Sequence, residues 1–378
     1  MMISRKRLGS WTLTRPLQAA IVLMLASTAA AQAPPTISTT RPLAVRPGQA
    51  IDMTIQGANL VGVSDVWTSF PSTKALVGDT KNKAQCVYKL TVPGDAAVGI
   101  HALRVAGPGG LSPLKLVLID DIPTTAQAGD NFSRDKAQAL TLPAAVDGTT
   151  DALKVRVYKF SADKGQTVSA EVVAKRIGSA LDPLLRILDA NGRELAYSDD
   201  AAGLNGDSRL HHTFAAKGDY FVEVRDIKWT GGGGHHYRLR IGDFPNVTAA
   251  YPLGVKRGGS ATVSFSGAHT DGVEPVKLQL PADSPLEWLT IGAKRAGGKS
   301  SGLVTLAVSN SDEVIETEPN DSRDKATRVP LGANLNGQFN KAGDVDHFVI
   351  SAKKGQKFTF TGITRRVGSP ASVYLRLL

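Results

Sequence analysis

The sequence predicts an all-β protein made of tandem β-sandwiches, with the last module truncated. Three observations carry that prediction. Glycine (38) and proline (20) are plentiful and helix-period stretches are rare, which favours short strands joined by turns. Alternating runs such as Ile51-Asp-Met-Thr-Ile-Gln-Gly57 and Ala261-Thr-Val-Ser-Phe-Ser-Gly267 close on glycine, the pattern of a half-buried strand ending in a turn. Two kinds of segment recur in alternation, the mark of folding modules used twice.

Residues 1–31 read as an export signal. They combine Arg5, Lys6, Arg7 and Arg15, an apolar stretch over 17–26, and Ala29, Ala30 and Ala31 before Gln32, with no Asp or Glu. Cleavage after Ala31 or Ala33 fits equally well. The apolar run is too short to span a bilayer comfortably and no later stretch does so. The mature protein is therefore expected to be soluble and secreted, periplasmic or at the cell surface. The formal charge of +10 includes those four bases, and without them +6 remains. That modest balance, with export, argues against nucleic acid as a partner. Cys86 is the only cysteine, so no internal disulfide forms. Its alternating surroundings, Gln85 to Leu90, predict a buried strand thiol.

The modules alternate in the order A-B-A-B. Pro35 to Gly48 lines up with Pro245 to Gly258, which places A at 35–121 and 245–312. Tyr158-Lys-Phe-Ser-Ala-Asp-Lys-Gly-Gln166 returns as Phe348-Val-Ile-Ser-Ala-Lys-Lys-Gly-Gln356, and the register holds through Arg176-Ile-Gly-Ser179 and Arg366-Val-Gly-Ser369. Upstream, Ser133-Arg-Asp-Lys-Ala137 returns as Ser322-Arg-Asp-Lys-Ala326, one residue out of step. B therefore occupies 122–244 and 313–378. Strands are predicted in the first B module over 154–160, 167–174, 184–188, 212–214, 220–225 and 237–241, with turns at 163–165, 189–192, 216–219 and 231–234. The second copy stops at Leu378, the counterpart of Leu188. Without the last three strands it is expected to be a fragment with unpaired edges.

The A segment resembles the TIG/IPT type of immunoglobulin-like domain, on Ile55-Gln-Gly-Ala-Asn-Leu60, Val92-Pro-Gly94, Gly99-Ile-His-Ala-Leu-Arg-Val105 and Pro108-Gly-Gly110. The second A copy matches only at its start. The B segment resembles the bacterial pre-peptidase C-terminal (PPC) domain, a relative of the collagen-binding domains of clostridial collagenases. The carrying residues are Leu181 to Asp189, Ser198-Asp-Asp200, Asp207-Ser-Arg-Leu210 and Gly218 to Arg225, with Glu318-Pro-Asn-Asp321 and Asp344-Val-Asp-His-Phe348 in copy two. These resemblances imply immunoglobulin-like and jelly-roll-like sandwiches used as spacers or contact surfaces.

One constellation carries chemistry. Glu316, Glu318, Asn320, Asp321, Asp344 and Asp346 supply hard oxygen side chains at the boundary between the second A and second B modules. Calcium takes six to eight oxygens in irregular geometry. Glu316 pairs with Glu318, and Asp344 with Asp346, on one side of an extended segment; Pro319 favours that alignment. In the relatives an acidic Glu-x-Glu-x-Asn-Asp linker and acidic residues at a strand start hold calcium, and the resemblance carries that role onto these six positions. The copy-one equivalents are Gln127, Gly129, Asn131, Phe132, Lys154 and Arg156, so calcium is expected in the second copy only. Asp199, Asp200 and Asp207 read as solvated turn residues.

Other signals read as structural. His211-His212 and His235-His236 place neighbours on opposite strand faces, so neither pair chelates one ion easily. Tyr220, Trp229 and Tyr237 read as packing aromatics before a sugar or peptide platform. No His-Glu-x-x-His, Gly-x-Ser-x-Gly or phosphate-cradling glycine loop occurs. No catalytic residue is therefore assigned. The leading expectation is an exported non-enzyme that binds or spaces, with extracellular polysaccharide or structural protein as partner. Two rivals are the accessory region of a secreted peptidase or other hydrolase, and a plain cell-surface stalk.

Overall fold

A computed structural model describes residues 32–378; the segment read as an export signal lies outside the described residues. The prediction of an all-β protein holds. Among the described residues, helix is confined to short 3-10 turns at Arg134–Lys136, Lys175–Ile177, Arg323–Lys325 and Arg365–Val367.

The first A module folds as two facing sheets. One orders Thr36–Arg41, Ala50–Ala58, Gln85–Thr91 and Thr73–Val77; the other is built around Gly99–Gly107, flanked by Lys115–Ile119 and Asp65–Thr68. Alternation sends Met53, Ile55, Cys86, Tyr88 and Leu90 inward against Leu103, Val105 and Val117. Burial pushes the Cys86 thiol up to about 11, so it stays protonated and inert.

The first B module is a sandwich of two five-stranded sheets. One sheet runs Thr124–Ala126, Ala144–Thr149, His236–Gly242, Thr167–Val173, Arg209–Thr213; the other runs Gln138–Ala139, Arg156–Ala162, Gly218–Asp226, Pro183–Leu188, Glu194–Ser198. All six predicted strands are present. Unpredicted are Ala144–Thr149, whose Ala, Gly and Asp content gives little β signal, and the edge strands Thr124–Ala126, Gln138–Ala139 and Glu194–Ser198. Tyr158 and Tyr237 meet at the centre, hydroxyl to hydroxyl at 2.5 Å.

The modules are not beads on a string. The Trp288–Ala293 strand of the second A module pairs with Gly99–Gly107 of the first, so one eight-stranded sheet runs through both. Gly99 permits that approach: a Cβ there would stand 2.1 Å from the Thr290 carbonyl oxygen. A shared apolar cluster joins Leu43, Ala44, Ile100 and Leu118 to Val173 and Ile177 of the B module and Leu303 of the second A.

A charged network seals the same junction. Along His236–Gly242, Tyr237, Leu239 and Ile241 face the B core, while Arg238 and Arg240 face the A modules and are buried too. Arg240 donates to Asp120 (3.1 Å), Glu171 (2.9 Å) and the Ser301 carbonyl (2.6 Å). Arg238 donates to Asp120 (2.6 Å) and Asp147 (2.8 Å). Arg209 reaches Glu171 at 3.0 Å, the Val247 carbonyl at 2.5 Å and the Leu303 carbonyl. Arg176 joins Glu171 to Asp207. Burial opposes ionisation of Glu171, but Arg209, Arg176 and Arg240 outweigh it and hold the carboxyl far below its usual range.

In the second B module Glu313–Ile315 pairs in parallel with Asn334–Asn336, and Thr327–Arg328 with Phe348–Val349. The same parallel pairings open the first B module. Beyond Val349 no strand is present among the described residues. The Arg365–Val367 turn nevertheless docks: Val367 is buried, and a Cβ on Gly368 would meet the Thr248 carbonyl oxygen at 1.7 Å.

Candidate metal centre

The acidic linker leaves the second A module through Glu313–Ile315 and meets the loop that precedes Phe348–Val349. The joint is fixed from the A side, where Leu253 N donates to Asn336 Oδ1 at 2.8 Å and Tyr251 Oη to the Asn336 carbonyl at 3.2 Å. Copy one uses the same joint, Leu43 N to Asp147 Oδ2 at 2.8 Å. Between these anchors the linker is extended, so Glu316 and Glu318 face the same side. One carboxylate oxygen each from Glu316, Glu318 and Asp346 lies within 4.8 Å of the others. Asn320 is fully buried at the base of this group. Its amide, turned nitrogen-inward, is 3.1 Å from Asp346 Oδ1 and 3.2 Å from Glu318 Oε2.

The remaining two predicted residues stand to one side. Lys341 Nζ is 2.8 Å from Asp321 Oδ1 and 3.7 Å from Asp344 Oδ1, so these carboxylates share an ammonium. Asp344 also accepts from Asn340 N at 2.6 Å. Four of the six predicted residues are thus brought together, and two are drawn onto Lys341.

The electrostatics are those of an under-neutralised anionic cluster. Burial, then the neighbouring Asp346 and Glu318, push the Glu316 carboxyl up. Burial, then Asp344, Glu318 and Asp321, do the same for Asp346. Tyr251 feels the same field: burial and the carboxylates of Glu316, Asp346 and Glu318 push its hydroxyl up to about 12. Oxygen donors, negative charge and an open face suit a hard divalent cation.

In copy one the same frame holds a guanidinium. Arg156, at the position of Asp346, donates to the carbonyls of Ala128 (3.2 Å), Gly129 (3.2 Å) and Thr149 (3.1 Å), to Asn131 Oδ1 (2.9 Å) and to Asp151 Oδ2 (2.6 Å). Lys154 and Arg156 both lie over the ring of Phe132, at 4.1 and 4.3 Å. The backbone frame is unchanged: Val157 N donates to the Asn131 carbonyl at 2.8 Å, as His347 N does to Asn320 at 2.9 Å.

Elsewhere the structure corrects single residues. Asp207, expected in solvent, is buried against Arg176 and accepts from the backbone N–H groups of Ala174 and Lys175. His236 is buried at the junction with the first A module, and neither ring nitrogen has a partner. Tyr220 and Tyr237 are core residues, whereas Trp229 is half exposed with Arg225 stacked 4.2 Å from its ring.

No family model matches the chain. A probable subtilase-type serine protease of Deinococcus radiodurans is 41% identical over 71 residues, which is 18% of this chain and 10% of that protein. The chain thus spans about a tenth of the length of that curated relative. Among solved structures, the pre-peptidase C-terminal domain of a Bacillus anthracis collagenase is 15% identical, covering 32% of this chain and 96% of that one at a TM-score of 0.23. The periplasmic lysozyme inhibitor PliG of Aeromonas hydrophila is 13% identical over 32% and 98%, TM-score 0.23. SGBP-B from a xyloglucan utilization locus of Bacteroides uniformis is 12% identical over 56% and 73%, TM-score 0.20. At these scores none of the three bears on what the chain does.

Proposed function

We propose that this chain is an exported, non-catalytic region for extracellular binding or spacing, in which calcium orders the linker into the second B module. TIG/IPT-like A modules and PPC-like B modules supply the frame. Glu316, Glu318 and Asp346 would hold the ion with the Asn320 amide oxygen turned inward; Asp321 and Asp344 would join once Lys341 is displaced. The observation that carries the reading is the convergence of three carboxylates around a buried amide at a module joint. Without a cation that arrangement is repulsive. The test is a calcium titration of the full chain, followed by melting temperature and by protease cutting near Glu316. Protection from cutting with at most a small rise in Tm is expected, and a titration that leaves both unchanged rejects the reading.

A second reading has its own support in the match to the Deinococcus protease: an accessory region of a secreted peptidase. Reading the gene past the Leu378 codon separates the two. A serine-protease domain encoded in frame favours the second. Polysaccharide or structural protein remains the proposed partner of the first, to be tried by pull-down on chitin, cellulose and collagen.

A further inference from the structure

We infer that Arg156 is a tethered cation, filling in the first B module the position that a free metal ion would fill in the second. Five oxygens surround its guanidinium: three backbone carbonyls, the Asn131 amide oxygen and one carboxylate, Asp151. Such a shell of neutral oxygens with a single carboxylate is what a hard cation collects from a protein. Arg156 itself is only 6% exposed, so its charge is held inside the fold.

The neighbours have changed sign with it. Asp321, Asp344 and Asp346 of copy two align with Phe132, Lys154 and Arg156, and the ring of Phe132 offers its electron-rich face to both bases. Gln127 replaces Glu316 but keeps its place, accepting from Thr149 N at 2.7 Å as Glu316 accepts from Gln338 N. Copy one is therefore locked at every ionic condition. Copy two depends on what the medium supplies, a contrast that rests on the calcium reading above.

The experiment replaces the tethered cation in the full chain. R156A should lower Tm by roughly 5–10 °C, because several carbonyls, the buried Asn131 amide and the half-exposed Asp151 carboxylate lose their partner. Guanidinium chloride at tens of millimolar should then raise the Tm of R156A by a few degrees while lowering that of the wild type. R156K, which keeps the charge but not the planar fork, should retain about half of the stability lost by R156A. R156D in a D346N background should recover Tm on adding 5 mM calcium chloride. If R156A and the wild type respond alike to guanidinium, or if R156K is as unstable as R156A, the tethered cation is overturned. That outcome is independent of whether copy two binds calcium, since the guanidinium and R156K arms involve no metal. If R156D ignores calcium while R156A is rescued, the socket admits only guanidinium and its equivalence to a metal site is overturned.

Discussion

The two B modules share a motif and differ in what surrounds it. Val168, Ala170 and Leu185 of the first are fully buried in its core, whereas their counterparts Phe358, Phe360 and Leu375 in the second are 40, 56 and 60% exposed. The first copy's Arg156–Ala162 and Pro183–Leu188 both pair with Gly218–Asp226, and its Thr167–Val173 lies between Arg209–Thr213 and His236–Gly242. Among the described residues, copy two has no counterparts of those three partner strands. Strand-forming sequence therefore becomes strand only where a ladder and an opposite sheet receive it.

The largest expected effects probe that contrast directly. E171A leaves Arg176, Arg209 and Arg240 facing a buried gap at the three-module junction, and should cost about 3–5 kcal/mol. The matching change in copy two, T361A, removes an exposed side chain with no charged partner and should stay within about 0.5 kcal/mol. Urea unfolding of the full chain measures both. Next in size, L185A should cost about 2–5 kcal/mol by opening a core cavity, and L375A less than about 0.5. Equal losses at Leu185 and Leu375 would mean that copy two is packed like copy one, and the comparison would fail.

How much of this was legible beforehand depends on which face a residue serves. The B-core strands were readable, because Tyr237, Leu239 and Ile241 alternate with polar residues. The alternation said nothing about the polar set between them. His236, Arg238 and Arg240 look like a solvated face, and they are buried because two A modules cover it. Nothing in the repeats announced that the A modules would share one sheet through Gly99. In the candidate metal centre, the period-two spacing correctly placed Glu316 beside Glu318. Lys341 was the omission: it sits three residues before Asp344 and draws off Asp321 as well, a competing pair visible only once the loop is folded.

The junction also sharpens the comparison through pH. Burial, then the charges of Lys115 and Arg41, push the His236 imidazole down to about 4. An unfolded histidine titrates near 6.5. Between those values the unfolded chain binds a proton that the folded chain refuses, so stability is full above about pH 6.5 and falls as pH drops towards 4. The loss should be on the order of 2–3 kcal/mol. H236Q should flatten that part of the Tm–pH profile. A wild-type slope that survives H236Q would place the effect elsewhere, since the imidazole would then be gone.

The smallest effect belongs to the second copy. Extracellular calcium modules bind with dissociation constants of about 10⁻⁴–10⁻³ M, and at roughly 1 mM ion the linkage relation gives about 0.4–1.4 kcal/mol. A gain of that size hardly moves global unfolding. It acts where the structure is weakest, on a linker whose carboxylates repel and whose module has few ladders of its own. Proteolysis tracks such local opening more closely than Tm does. Calcium should thus slow cutting near Glu316 about two- to tenfold, the rate equivalent of that energy. D346N removes one of three converging carboxylates and should abolish the protection, while D344N should only weaken it, because Asp344 is shared with Lys341. Equal loss in both variants would mean that displacing Lys341 costs little and that Asp344 holds the ion as firmly as Asp346.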